Sequence, residues 1–187
     1  MIIRNSMEEA VRTELAREMA RPDRAGICRC PLCEADALAL ALTSLPPQYC
    51  ASRPHRSPSE VHALDLVPLG VTEAIERVQR NPRHESGPGE ATPLSPRIVN
   101  FNLEEGVAAL STVMEESSSP CTCEQCRADT LAIALNRYPS KYGIDLDGIV
   151  ALPSKERESI RWELARMMNH AARVVAEEPR HDRQRNA

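Results

Sequence analysis

Cys28-Arg29-Cys30-Pro31-Leu32-Cys33-Glu34-Ala35-Asp36 is followed by an alanine/leucine run and then by Pro46-Pro47-Gln48-Tyr49. The same plan returns 93 residues later as Cys121-Thr122-Cys123-Glu124-Gln125-Cys126-Arg127-Ala128-Asp129, its own alanine/leucine run and Pro139-Ser140-Lys141-Tyr142. Cys28, Cys30, Cys33, Ala35, Asp36, Leu38, Ala39, Ala41, Leu42, Pro46 and Tyr49 each meet an identical residue, with no gap. Six cysteines and a proline–tyrosine pair in register make the chain a tandem duplication, and C-x-C-x-x-C is the centre of the repeated unit.

Working outward, Ser6-Met7-Glu8-Glu9 has the form of a capping box. Met7, Val11, Leu15 and Met19 then give one apolar helical stripe, ended by Arg21-Pro22. A second helix is expected from about Pro31 to Leu45, with Ala35, Leu38, Ala39 and Leu42 inside. Cys50 to Pro58 has the composition of a loop. Ser59 to Leu66 is a weaker helical stretch, and Val71 to Arg80 a short helix stopped by Asn81-Pro82. In the second unit Asn102 is expected to cap a helix carrying Leu103, Val107, Leu110 and Met114. A helix burying Ala128, Leu131, Ala132 and Leu135 follows, and Pro139 to Leu152 reads as a connection. Ser154 then caps a long helix to about Ala176, with Ile160, Leu164, Met167, Met168, Ala171, Val174 and Val175 on its inner face. A shift of 97 residues places Pro68 and Gly70 in the middle of that helix's counterpart, so a break is expected there.

No stretch of four or more residues carries a strand pattern, so the predicted class is all-α: two small helical units packed as an internal pseudo-dimer. Their expected limits are 1–84 and 98–187, joined by a Pro/Gly-rich linker at 85–97. Units of roughly 80 residues are near the size at which a core alone is marginally stabilising, so a metal staple makes physical sense.

Composition excludes several classes of function. The net charge of −4 offers no general attraction to nucleic acid or an anionic membrane. One Trp, one Phe and three Tyr are too few for a base-stacking platform. No apolar run approaches the ~20 residues of a membrane span, and Met1-Ile2-Ile3-Arg4-Asn5 turns polar at once, so the expectation is a cytoplasmic protein. Seven cysteines, an odd number and clustered, suit metal ligation in a reducing compartment better than disulfides.

Three thiolates within six residues leave a tetrahedral zinc site one ligand short. Cys50 could complete the first set, but its counterpart is Gly143. Pro82-Arg83-His84 does recur, as Pro179-Arg180-His181, just past the last helix of each unit. The expected sets are therefore Cys28, Cys30, Cys33 with His84, and Cys121, Cys123, Cys126 with His181. Each would close about 50 residues of chain. Asp36 and Asp129 are candidates to accept the free amides at the helix start or to orient the histidine. Reduced unliganded cysteines, C-x-x-C redox pairs without a βαβ context, an iron–sulfur cluster, and helix C-terminal histidines held only by the dipole are the competing readings. Catalytic zinc would need an open position and a nearby base, and no enzymatic constellation stands out. His55, His62 and His170 have no counterparts and read as surface residues; the repeated Tyr49 and Tyr142 read as packing.

The pattern C-x-C-x-x-C-x-x-D, an alanine/leucine helix and L-P-P-x-Y resembles the late competence development protein ComFB family. The first repeat has Leu45-Pro46-Pro47-Gln48-Tyr49, with Thr43 where the family usually has Asn. The second keeps Asn136 and has Tyr138-Pro139-Ser140 in place of L-P-P. The resemblance implies a fused pair of zinc-binding helical domains in a bacterial regulatory protein. It further implies a receptor for a cyclic dinucleotide, cyclic di-GMP or cyclic di-AMP, acting on competence or motility, with protein partners and scope for further oligomerisation. The alternative is a protein–protein adaptor with structural zinc and no small ligand.

Overall fold

The computed structural model describes residues 3–51, 58–83, 96–116, 121–146, 149–150 and 152–180. Each unit begins with a short strand, two helices and a return strand, and ends in helix. In the first, β1 (Arg4–Asn5) leads into α1 (Met7–Met19), a 3-10 turn (Pro22–Arg24), α2 (Pro31–Ser44), β2 (Tyr49–Cys50), α3 (Pro58–Asp65) and α4 (Val67–Arg80). In the second, β3 (Arg97–Asn100) leads into α5 (Phe101–Glu116), α6 (Glu124–Arg137), β4 (Tyr142–Leu146), β5 (Ile149–Val150) and α7 (Ser154–Glu177).

The fold is mostly helical, but the all-α expectation needs correcting. β1 pairs antiparallel with β2, placing Asn5 opposite Tyr49. β4 pairs antiparallel with both β3 and β5, placing Asn100 opposite Tyr142. The stretch expected as a plain connection, Pro139 to Leu152, therefore contains both β4 and β5. These strands carry no clean alternation because Asp145 is buried, held by Arg97 at 2.8 Å across the ladder. The partner that permits this lies 48 residues away in sequence.

Matching strand registers sets Asn5 against Asn100, a shift of 95 residues before the cysteines and 93 after them. Helix starts follow from that. Asn5 Oδ1 accepts from the Met7 N–H at 3.2 Å, and Asn100 Oδ1 accepts from the Leu103 N–H at 3.1 Å. Ser6 makes no side-chain cap bond, Asn102 is fully buried inside α5 with its amide donating to the Pro139 carbonyl, and Pro153 rather than Ser154 stands at the start of α7. The expected caps were thus one or two residues off.

The α1 stripe of Met7, Val11, Leu15 and Met19 is buried as its spacing predicts. That of α5 is buried only in part: Leu110 and Met114 are inside and Leu103 is half-buried, but Val107 is 46% exposed, and Asn102, Glu105, Gly106, Ala109 and Val113 complete the inner face. Glu105 can sit there because Arg157 and Arg161 of α7 each reach it at 2.6 Å. The expected break in the last helix of the first unit is present at Leu66, between α3 and α4. Pro68 stands in the first turn of α4, where its missing N–H costs nothing, so α4 starts at Val67 and not at Val71.

The two units share their interiors. Tyr142 and Ile144 of β4 are buried in the core built by α1, α2 and α4, with Ile98 and Leu146 packed against it. Ile3 and Tyr49 are buried in the core built by α5, α6 and α7. Each ribbon thus packs on the central helix of the other unit. α2 and α6 are consequently buried on more than one side, which is why Ala37 and Ala41 are inside along with the expected stripe.

Candidate metal centre

The chain enters α2 through Cys30, whose backbone is extended (φ −68°, ψ 154°) and whose Sγ accepts the Cys33 N–H at 3.4 Å. Cys123 does the same for α6 (φ −61°, ψ 160°), accepting from the Cys126 N–H at 3.5 Å. A cysteine sulfur occupies the position usually held by a serine or aspartate oxygen. The free amides and the dipole of the helix start favour its thiolate form. Within each triplet the sulfurs lie within 4.8 Å of one another. Zinc–sulfur bonds of about 2.3 Å in a tetrahedron need sulfurs about 3.8 Å apart, so a small inward rotation of the side chains suffices.

Burial pushes the Cys33 thiol up, with Cys30 and Cys28 adding to it. Cys126 is pushed up to about 12 for the same reasons, with Cys121 and Cys123 beside it. Three sulfurs held so close cannot all ionise without a counter-charge, and a divalent cation supplies one. The soft donor set suits zinc rather than magnesium or calcium. Both three-cysteine clusters are therefore placed to hold a metal ion.

Asp36 and Asp129, one turn further on, do not accept the helix amides; the cysteine sulfurs do. Instead, Asp36 pairs with Arg83 Nε at 3.2 Å, and Arg180 Nη1 stands 4.0 Å from Asp129 Oδ1. Burial raises the Asp36 carboxyl and the Arg83 charge opposes it. The arginine of the repeated Pro-Arg-His end thus faces the aspartate of the cysteine helix in both units. His84 and His181 themselves lie outside the described residues, as do His55 and most of the 85–97 linker. Cys50 stands apart from the triplets; its Sγ lies 3.8 Å from the Arg4 carbonyl oxygen in the β1–β2 ribbon. His62 and His170 are exposed.

The sequence model of the family described as late competence development protein ComFB matches residues 4–82 and again residues 102–179. The chain belongs to that family. No curated protein and no solved structure matches it. Seen as two ComFB domains, the cysteine clusters differ in ways that the cysteine pattern hides. In the first domain all three cysteines are buried. Gln79 of α4 clamps Cys28 there, its Oε1 accepting the Cys28 N–H at 2.9 Å and its Nε2 donating to the Cys28 carbonyl at 3.2 Å. The second domain has Ala176 at that place, and Cys121 and Cys123 are only half-buried. Gln79 was not among the expected site residues; a glutamine without a repeated partner gives no signal in a search for what recurs.

The repeated tyrosines also do more than pack. Across the junction of the two ComFB domains, Tyr49 OH donates to Asn100 Oδ1 at 3.0 Å. Asn5 Nδ2 and Asn100 Nδ2 donate to Tyr142 OH, and Tyr142 OH donates to Glu8 Oε1 at 2.8 Å. Asn136 grips the backbone of Tyr49 through both its N–H and its carbonyl, while Thr43, its counterpart, accepts only the Tyr142 N–H. The asparagine that the resemblance singles out is thus a domain-pairing residue.

Proposed function

We propose that this chain is a non-enzymatic bacterial regulatory protein, in which two zinc-closed ComFB domains (1–84 and 98–187) act as one body and bind a cyclic dinucleotide. Zinc would be held by Cys28, Cys30, Cys33 and His84, and by Cys121, Cys123, Cys126 and His181; the metal supplies a cross-link between the ends of each domain. The observation that carries the reading is the reciprocal seating of each ribbon on the other domain's central helix. A ligand at such a junction is felt by both halves, as a signal receptor requires. The ligand class is taken from the family resemblance. A second reading, an adaptor with structural zinc and no small ligand, is favoured by Trp162, the sole tryptophan, 64% exposed on α7.

Calorimetric titration of the full chain with cyclic di-GMP and cyclic di-AMP separates the two. Saturable heat at micromolar ligand supports the receptor; none with either supports the adaptor. Metal analysis is expected to find two zinc ions per chain, and H84A or H181A to weaken retention at the corresponding site. Unchanged zinc content in both variants removes the histidines from the ligand set.

A further inference from the structure

We propose that the groove between α1 and α2, walled at one side by β3 of the second domain, is the phosphate-binding site of a nucleotide ligand and that it occurs once per chain. This rests on the receptor reading above and gives it a place and a stoichiometry.

The groove encloses about 620 Å³, within the range of small-molecule sites. Its floor is apolar, from Leu15, Met19 and Leu38, with Ile98 contributed by the other domain. Arg12 of α1 and Arg29, between the first two cysteines, both line it. Neither guanidinium has an ion pair or hydrogen bond among the described residues, unlike Arg17, Arg21 and Arg24 nearby, which are tied to Glu14, Glu18 or Asp23. Two guanidinium groups without a partner among the described residues, on one concave surface, match a ligand with two phosphates, each able to take a forked pair of N–H donors. Glu34, on the same lining, is an acceptor suited to the N–H edge of a purine base. The apolar floor suits the face of that base.

The repeat supplies the control. Carrying the groove onto the second domain replaces Arg12 with Val107 and Arg29 with Thr122. Glu115 and Glu124 stand where the first groove has Ala20 and Pro31. At the place of Glu34 stands Arg127, which donates to Ser111 at 3.0 Å and so bridges α5 to α6 where the first groove is open. The second groove lacks both arginines of the first, carries two carboxylates in new places, and its one arginine, Arg127, is engaged as a strut to Ser111. A duplicated ligand site would give two per chain; this arrangement gives one.

The test is calorimetry on the zinc-loaded full chain with cyclic di-GMP as probe, at two salt concentrations. The expected result is one site per chain, weakened by added salt. R12A/R29A is expected to lower affinity about a hundredfold, by loss of two charge-assisted contacts, while R127A leaves it within about twofold. Both arginines are exposed, so the double variant is expected to keep its zinc and its melting temperature, which circular dichroism and metal analysis check. Unchanged affinity in R12A/R29A overturns the groove and leaves the receptor reading standing. Two equivalent sites overturn the single-site assignment. No binding by the unaltered chain overturns the receptor reading, and the groove with it.

Discussion

Gln79 and Ala176 occupy one place in two copies of a domain, and the difference falls on the first cysteine of each triplet. A side chain that satisfies both backbone groups of Cys28 holds that sulfur's approach fixed. Each of the two hydrogen bonds is worth about 1 kcal/mol net. The methyl group of Ala176 can supply no such brace, and two sulfurs of the second triplet are half-buried. A chromogenic chelator is therefore expected to withdraw zinc in two phases, with alkylation followed by mass spectrometry marking Cys121 and Cys123 before Cys28 and Cys30. Q79A should cost about 1–2 kcal/mol of stability and bring the slow phase towards the fast one. A single phase in the unaltered chain, or labelling in the reverse order, contradicts this. The triplets themselves were plain in the sequence because they recur. Gln79, Asn5 and Asn100 were not, because each acts through a contact whose partner is set by the fold rather than by spacing.

Among the elements, the helices were legible and the strands were not, for a physical reason. Helices α1, α2, α6 and α7 carry their own evidence, an apolar period and a stop signal within one segment. Ribbons of two to five residues carry none; β1 to β4 are strands because a distant segment shares their hydrogen bonds. Gly143 of β4 illustrates the point. A Cβ built there would lie 2.5 Å from Phe101 Cε2 and 2.9 Å from Cζ, so the ring at the start of α5 lies directly over the strand. The counterpart of Gly143 is Cys50, and Ser6 stands where the second domain has Phe101, so no ring covers the first ribbon from that place. Gly143, whose presence opposite Cys50 removed that cysteine from the expected ligand sets, thus answers a steric requirement of its own copy. G143A is expected to destabilise the protein by about 1–3 kcal/mol, as overpacking does, whereas C50A should be nearly neutral and leave zinc content unchanged. Urea midpoints and metal analysis check both. A neutral G143A would mean that Phe101 moves aside freely.

For the whole molecule, the polar hub between the domains sets a limit on pH. Burial pushes Tyr49 up to about 12, and Tyr142 is raised too, first by burial and then by Tyr49 and Glu8 beside it. An unfolded tyrosine titrates near 10. Between these values the unfolded chain has lost protons that the folded chain keeps, so stability is complete below about pH 10 and falls as pH rises towards 12. Urea midpoints should be level from pH 8 to 9.5 and lower at pH 11, with a shallower decline in Tyr49→Phe. A level profile through pH 11 would show that the hub does not govern the pairing.

The reciprocal seating of the ribbons has a consequence for how such a chain can change. In a dimer of identical subunits every substitution is made twice, on both sides of the axis, and a bad one is suffered twice. Here the partner is covalently attached and always present at high effective concentration. One half can carry Thr43 where the other carries Asn136, or Val107 and Thr122 where the other carries Arg12 and Arg29, while the two stay paired. Fusion turns a symmetric object into one whose halves are free to specialise.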